Sequence, residues 1–330
     1  MTVINGIEID FIEYEPNVIK EAIRNNEPIE PKLHVIAVIS NPCLFAKRYI
    51  LMKEFIHRIQ QEETNVELYI VELAYGSQDF IITEKTNRKH LQLRTECPIW
   101  HKENMVNLGV QKLLPKNWRA FAWIDADIEF ENVSWALDTL KVLNGCKDVV
   151  QIFSHAVDMS SDKKTMSVFN SAGYQRTKNL PISYTFPNLW HPGFAWAMTR
   201  KAYEHLDGLY EKAILGSGDN IMMLSFMGLS MRGVNERSSD GYKQSILAFQ
   251  EKARLLRFGY IPGVIRHYFH GIKKNRKYHE RWEILVKHEY DPEIHIKKNE
   301  VGLIVPTEQF PESLKNDILE YFQQRNEDEQ

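Results

Sequence analysis

The chain alternates between continuous apolar runs and stretches where apolar residues recur every three or four positions. Leu33-His-Val-Ile-Ala-Val-Ile-Ser40 is almost wholly apolar and predicts a strand buried on both faces. Asn41-Pro42 breaks it. From about 44 to 61, Phe45, Tyr49, Met52, Ile56 and Ile59 fall at helical spacing. A second strand is predicted over 66–73, ended by Ala74-Tyr75-Gly76-Ser77, and a third over 90–94. A helix from about 102 to 114 stops at Pro115. Its Asn104 and Asn107 are poor helix formers and read first as a solvated face, second as polar substrate contacts.

Phe121-Ala-Trp-Ile then opens another buried strand, followed by a helix to about 143 and a strand over 148–153. Later helices are predicted over 240–257 and about 311–325. Strands alternating with helices predict an α/β fold with a mixed, mostly parallel central sheet and helices on both faces. Residues 155–188 are polar, with Ser, Lys, Asn, Gly and Pro scattered through them, and predict a long mobile loop. Residues 1–31 hold seven carboxylates against Lys20 and Arg24, with three prolines, and predict a peripheral acidic arm. The expected organisation is that arm, a main domain over 32–290 divided near 130, and an extension over 291–330.

The strand at 121 leads directly into Asp125-Ala-Asp127. Buried strands do not normally finish on paired acids, because ionised groups resist desolvation and like charges repel. A divalent cation relieves both, since hard cations prefer oxygen ligands. Such a site would lie at the carboxyl end of a central strand, the usual ligand crevice of an open α/β sheet. Trp190-His191-Pro-Gly193 offers an aromatic wall beside a glycine that permits close backbone approach. Trp196, six residues further on, fits a core position at least as well as a sugar-stacking one.

Leu215-Gly-Ser-Gly218-Asp219-Asn220 precedes an apolar run. Two readings stand there. Ser217 or Asp219 caps a helix, or Asp219 is a general base presented on a tight turn. Further on, His267 and His270 lie three apart near Gly271. They fall within residues 251–288, where ten Lys and Arg face three Glu, a local net of +7 with His neutral. Such a patch suits phosphate groups.

Composition narrows the class. With 43% hydrophobic and 26% charged residues the chain is that of an ordinary globular protein. A formal charge of −3 predicts no general attraction to nucleic acid or membrane. Cys43, Cys97 and Cys146 are scattered, without metal-ligand spacing, and suggest a reducing, cytoplasmic compartment. The first ten residues lack the pattern of a signal peptide, and no apolar run is long enough for a membrane span.

Taken in order, Trp-Ile-Asp125-Ala-Asp127, Trp190-His-Pro-Gly-Phe-Ala-Trp-Ala, Leu-Gly-Ser-Gly-Asp219, and Phe-His270-Gly with Arg276-Lys-Tyr-x-x-Arg281 resemble the motifs of GT-A fold nucleotide-sugar glycosyltransferases. Lys102-Glu-Asn-x-x-Asn107-x-Gly109 is similar to the segment those enzymes place before the acid pair. The pattern is family-2-like, with a galactosyl/GalNAc-transferase-like second half, and spans about residues 32–288. The resemblance implies a Rossmann-like GT-A domain and a metal-dependent transfer of a hexose from a UDP-sugar to a glycan or other hydroxyl acceptor. Asp127 and His270 would hold Mn²⁺ or Mg²⁺, with His267 the alternative to His270, and Asp125 would hold the metal or the donor ribose. Asn41, Arg48, Glu72, Tyr75, Lys102, Asn107, Lys274 and Arg276 would line the donor, Trp190, His191 and Gly218 the acceptor. Asp219 would be the base of an inverting reaction. The turn departs from the Trp-Gly-x-Glu type of the galactosyl and GalNAc transferases, which leaves the donor sugar open. Two alternatives remain at this stage: the same chemistry directed at a hydroxymethylated base in DNA, prompted by the +7 segment, and a non-catalytic nucleotide-sugar-binding module.

Overall fold

A computed structural model describes residues 2–4, 7–9, 17–181, 189–278 and 280–329. Its centre is a seven-stranded sheet in the order Phe258–Tyr260, Val149–Gln151, Ala195–Thr199, Ala120–Ile124, Leu33–Ser40, Val66–Tyr75, His90–Thr95. All neighbours run parallel except Ala195–Thr199, which is antiparallel to the strands on both its sides. The strand Leu33–Ser40 shows why the sheet is double-sided. Val35, Ala37 and Ile39 enter one core with helices Ala46–Glu62 and Trp135–Leu143, while Ile36 enters the other with helices Lys102–Leu113, Gly218–Phe226 and Asp240–Ala253. A strand buried on both faces calls for apolar residues at nearly every position, which the sequence provides at all but His34 and Ser40. Trp123 and Trp196, cross-strand partners, stack at 5.9 Å and 5°, and Trp196 also stacks on Phe258. Trp196 is therefore a core residue. Each such pair contributes about 0.5–1.5 kcal/mol beyond its buried area.

A second sheet of five short strands, in the order Trp190–His191, Thr165–Ser171, His155–Met159, Val264–His267, Ile128–Phe130, lies beyond the carboxyl end of Ala120–Ile124. Asp125-Ala126-Asp127 is one of the short links by which the chain passes from the central sheet to this one. The expected loop over 155–188 is thus corrected for its described part: it contains two strands and the helix Ala172–Thr177. These strands bury few side chains on one face, so their residues look like a polar loop in sequence. Residues 182–188 of that expectation lie outside the described residues.

The acidic arm is described in part. Thr2–Ile4 pairs with Ile7–Ile9, and helix Val18–Asn25 buries Ile19 and Ala22 on the domain. Within 291–330, the hairpin Ile296–Lys298 with Ile304–Pro306 and the helix Glu312–Gln324 place Leu303, Leu314, Ile318 and Phe322 in the core that holds helix Lys102–Leu113. Among the described residues no helix is long and apolar enough to cross a membrane.

Candidate active site

The acid pair sits where the two sheets meet. Strand Val264–His267 runs antiparallel to Ile128–Phe130, with His267 opposite Ile128, and the Tyr268 N–H donates to the Asp127 carbonyl at 2.7 Å. This pairing brings His267 and His270 over Asp127. Asp127 Oδ2 lies 3.2 Å from His270 Nε2 and 3.7 Å from His267 Nε2. One ligand atom from each of the three falls within 4.8 Å of the others.

Both rings are oriented from behind. His267 Nδ1 meets Asp158 Oδ1 at 2.6 Å, and His270 Nδ1 donates to the Tyr268 carbonyl at 3.0 Å. With those protons on Nδ1, each Nε2 lone pair faces Asp127, the carboxylate–histidine arrangement that prepares imidazoles for a cation. Lys273 holds the other Asp158 oxygen at 2.5 Å. Against burial, which would raise it, hydrogen bonds from His267 and Lys273 hold Asp158 down at about 2.

The residues fit a divalent cation. Asp127 Oδ1 is buried and has no hydrogen-bond partner, a costly condition that a cation would relieve. Burial would raise the Asp127 carboxyl, but the two imidazoles and the Arg276 guanidinium around it more than reverse this and keep it ionised. Burial and Arg276 push His270 down to about 3, so near neutral pH its ring is an uncharged ligand. Arg276 Nη2 itself stands 2.5 Å from His270 Nε2; a cation on that nitrogen requires the guanidinium to turn toward an anion instead.

Asp125 is not part of this triad. Its carboxylate forms an ion pair with Lys102, the first residue of helix Lys102–Leu113. Glu103, 4% exposed, lies against Gly218, where an added Cβ would meet its Oε1 at 2.4 Å. Burial raises the Glu103 carboxyl to about 7, although the neighbouring Lys102 opposes the shift.

Asp219 occupies the first turn of helix Gly218–Phe226. Its Oδ2 abuts Gly193, where a Cβ would come within 2.6 Å, and its Oδ1 accepts from the Asn220 N–H at 2.8 Å. The cap residue Ser217 makes no side-chain cap bond and instead accepts from Arg281 at 2.5 Å. Ser217 and Phe194 both sit at positive φ, 73° and 77°. Non-glycine residues adopt that conformation at a cost of order 1–3 kcal/mol, and they persist where the surroundings over-determine them. Here both lie on the turns that carry Asp219 and Gly193. His191 stacks on Phe194 at 3.7 Å, and its Nδ1 accepts from the Gly193 N–H. Trp190 is buried on the neighbouring strand.

The expected donor residues are distributed as follows. Tyr75 and Arg48 line a narrow crevice at the carboxyl ends of Leu33–Ser40 and Val66–Tyr75, with Asn41, Trp100, Phe322 and Arg325. Asn41 braces its own turn, exchanging hydrogen bonds with Phe45. Glu72 spends both oxygens on the Ile81, Ile82 and Thr83 backbone and on the Thr83 hydroxyl. Asn104 and Asn107 are corrected from a solvated face: they are 1% and 3% exposed and share Glu211 Oε2. Asn104 also closes on the Ile304 N–H, and Asn107 on the Leu209 backbone. Lys274 faces solvent, and the neighbouring Lys273 is the lysine that reaches inward. Asp158, Glu103, Lys273 and Arg325 were not singled out from sequence; nothing in the spacing of a lone acid or base marks it as buried.

Folding reduces the excess of the +7 segment. Arg257 pairs with Asp148, Arg266 with Glu131, Lys273 with Asp158, and Lys287 with Asp317, four carboxylates from outside it that take +7 to +3. The local excess that suggested a nucleic-acid surface is therefore about halved.

No family model matches the chain, and no curated protein matches its sequence. Solved structures similar to it include a Drosophila β1,4-galactosyltransferase 7 mutant in complex with manganese, UDP-Gal and xylobiose, at 9% identity, 84% of this chain, 93% of that one and a TM-score of 0.39. A mannosyltransferase from Pyrobaculum calidifontis in complex with GDP-Man and Mn²⁺ follows at 14% identity, 82% and 67% coverage and a TM-score of 0.39. The S. aureus TarS fragment 1–349 matches at 13% identity, 89% and 71% coverage and a TM-score of 0.37. These likenesses are too distant to carry an activity over to this chain.

Proposed function

We propose that this chain is a metal-dependent glycosyltransferase that moves a hexose from a UDP-sugar to the hydroxyl of a glycan or other acceptor, with inversion. The observation that carries the reading is the buried triad of Asp127, His267 and His270, its Asp127 Oδ1 unpartnered. It lies at the switch from the central sheet to the second one. Asp127 and the two Nε2 atoms would hold Mn²⁺ or Mg²⁺, which when bound supplies Lewis-acid charge to a leaving diphosphate.

The chain's own groups do the rest. Arg276, the nearest cation to the triad, offers its guanidinium to the diphosphate, where planar donors suit phosphate oxygens. Lys102 fixes Asp125, and that pair faces the donor ribose. Asp219, held against Gly193, takes the acceptor proton. The acceptor oxygen forms its bond to the anomeric carbon as the bond to the phosphate oxygen breaks, the electron pair leaving with the diphosphate. His191, Trp190 and Gly218 wall the acceptor side. A reaction in which the nucleophile arrives opposite the leaving group places base and metal on opposite sides of the sugar. The Asp219 carboxylate, held against Gly193 as the candidate base, is what supports the assignment of inversion.

The test is transfer by purified protein with Mn²⁺ and UDP-hexoses over an acceptor panel, with the product anomer read by NMR. Asp219→Asn should bind donor but lose transfer by about 10²–10⁴-fold, the range of general-base contributions. Full transfer in that variant, or a retained anomeric configuration, removes Asp219 from the role.

A further inference from the structure

A cavity of about 270 Å³ lies between helix Ala46–Glu62 and the strand ends of the second sheet. It shares no lining residue with the crevice at Arg48 and Tyr75, and none of Trp190, His191, Gly218 and Asp219 borders it. One wall is a single helix face: Lys47, Leu51, Glu54 and Arg58 follow one another at the three- and four-residue spacing that puts side chains on one side. The rest of the lining comes from the turn after strand His155–Met159, which brings Ser160, Ser161 and Lys163, and from Tyr268 and Phe269 after strand Val264–His267.

This lining suits an anion. Lys47, Arg58 and Lys163 share the cavity with one carboxylate, Glu54, and none of the three cations has an ion-pair partner among the described residues. Arg58 is fixed in place: its Nη2 donates to the Ile128 carbonyl at 3.0 Å, and the guanidinium lies over the Tyr268 ring at 5.3 Å. Tyr268 is held in turn by the hydrogen bond from its hydroxyl to Glu129. A guanidinium oriented in advance loses little freedom when its remaining N–H groups meet a phosphate or carboxylate. The acid of the turn, Asp162, pairs with Lys164 at 2.7 Å and accepts from the Ser160 hydroxyl, so it does not neutralise Lys163.

The remaining groups ask for more than a bare anion. Leu51 and Phe269 add apolar surface, Ser161 a hydroxyl, and Glu54 an acceptor for ligand hydroxyls. The volume falls just under the lower limit of about 300 Å³ for drug-sized pockets, which suits a ligand of one ring. We infer that this cavity is a second saccharide subsite, apart from the reaction centre, that takes a monosaccharide unit carrying a phosphate or carboxylate. Arg58, Lys47 and Lys163 hold the anionic group and Glu54 the hydroxyls. The saccharide half of the inference rests on the transferase reading above.

The experiment is calorimetric titration of glucose 6-phosphate, glucuronate, glucose and inorganic phosphate into the intact chain, with EDTA present to keep phosphate off any cation at the triad. The same titrations are run on Arg58→Met and Lys163→Asn, with thermal unfolding as the control. At least one anionic sugar should bind at least tenfold more tightly than glucose or phosphate; whichever of the two leads identifies the anionic group. Each variant should lose about tenfold or more of that affinity, as expected for a hydrogen bond to a charged group. If Arg58→Met unfolds, Lys163→Asn decides, because Lys163 stands on an exposed turn at a φ of 60° that Asn tolerates. No binding of either anionic sugar, or unchanged affinity in folded variants, overturns the subsite. Glucose binding as tightly as its phosphate overturns the anion, and phosphate alone binding as tightly overturns the saccharide. UDP-hexose binding with Mn²⁺ is read separately, so each of these failures leaves the transferase reading standing.

Discussion

Asp127 is defined by what it lacks. One oxygen is shared toward two imidazoles and the other is buried with no partner. Replacing it with Ala should abolish stoichiometric Mn²⁺ binding with the fold intact, as measured by titration and thermal unfolding. Asp158 acts one step further out, fixing the proton on His267. Asp158→Asn should weaken Mn²⁺ binding by about 10–100-fold, the usual effect of removing such an orienting partner. Glu103 bears on stability instead. Its folded pKa, about 7, lies above its unfolded value, so between about pH 4.5 and 7 the folded chain binds a proton the unfolded chain has lost, and stability falls as pH rises through that window. Glu103→Gln should therefore be more stable than the parent at pH 8, by on the order of 3 kcal/mol, and the gain should vanish near pH 4.5. Urea unfolding at the two pH values measures it. Asp125, Asp127 and Asp219 stood out in the sequence because acids at strand and helix ends are conspicuous. Glu103 and Asp158 did not, since their burial depends on tertiary packing against Gly218 and His267.

At the scale of elements, the site depends on a tight crossing. Gly193 lets the turn before Ala195–Thr199 lie directly on Asp219. Gly193→Ala would push the carboxylate aside, and a displacement of about 1 Å costs on the order of 10²-fold in rate. The expected result is loss of transfer with donor binding preserved; equal loss of both would mean the whole site had collapsed. The strands of the central sheet were legible because they are buried on both faces and read as unbroken apolar runs. Val264–His267 was legible only through its histidines. Strands His155–Met159 and Thr165–Ser171 were not, because a thin, half-exposed sheet leaves polar residues at half of their positions. Asn104 and Asn107 were misread for the opposite reason: their amides are consumed by Glu211 and by backbone from beyond residue 208, contacts that no local pattern announces.

Across the whole molecule, charge and architecture point the same way. The basic stretch over 251–288 finds carboxylates from other parts of the chain, and the net charge is −3. Duplex DNA should therefore show no appreciable binding at 150 mM salt, as checked by a gel or anisotropy titration; tight binding that weakens steeply with salt would restore a nucleic-acid acceptor. The residues from 291 onward read in sequence as an appendage. Folded, they close the core with Leu314 and Ile318 and bring Arg325 and Glu327 to the crevice, so the two ends of the fold meet at one site.

The central claim is that a cation held by Asp127, His267 and His270 binds a nucleotide-sugar. Calorimetric titration of UDP-hexoses into the purified chain, once with Mn²⁺ and once with EDTA, tests it most directly. Binding of at least one UDP-hexose with Mn²⁺ and its loss in EDTA is the predicted result. Equal affinity in both conditions, or no heat with any of them, would contradict it.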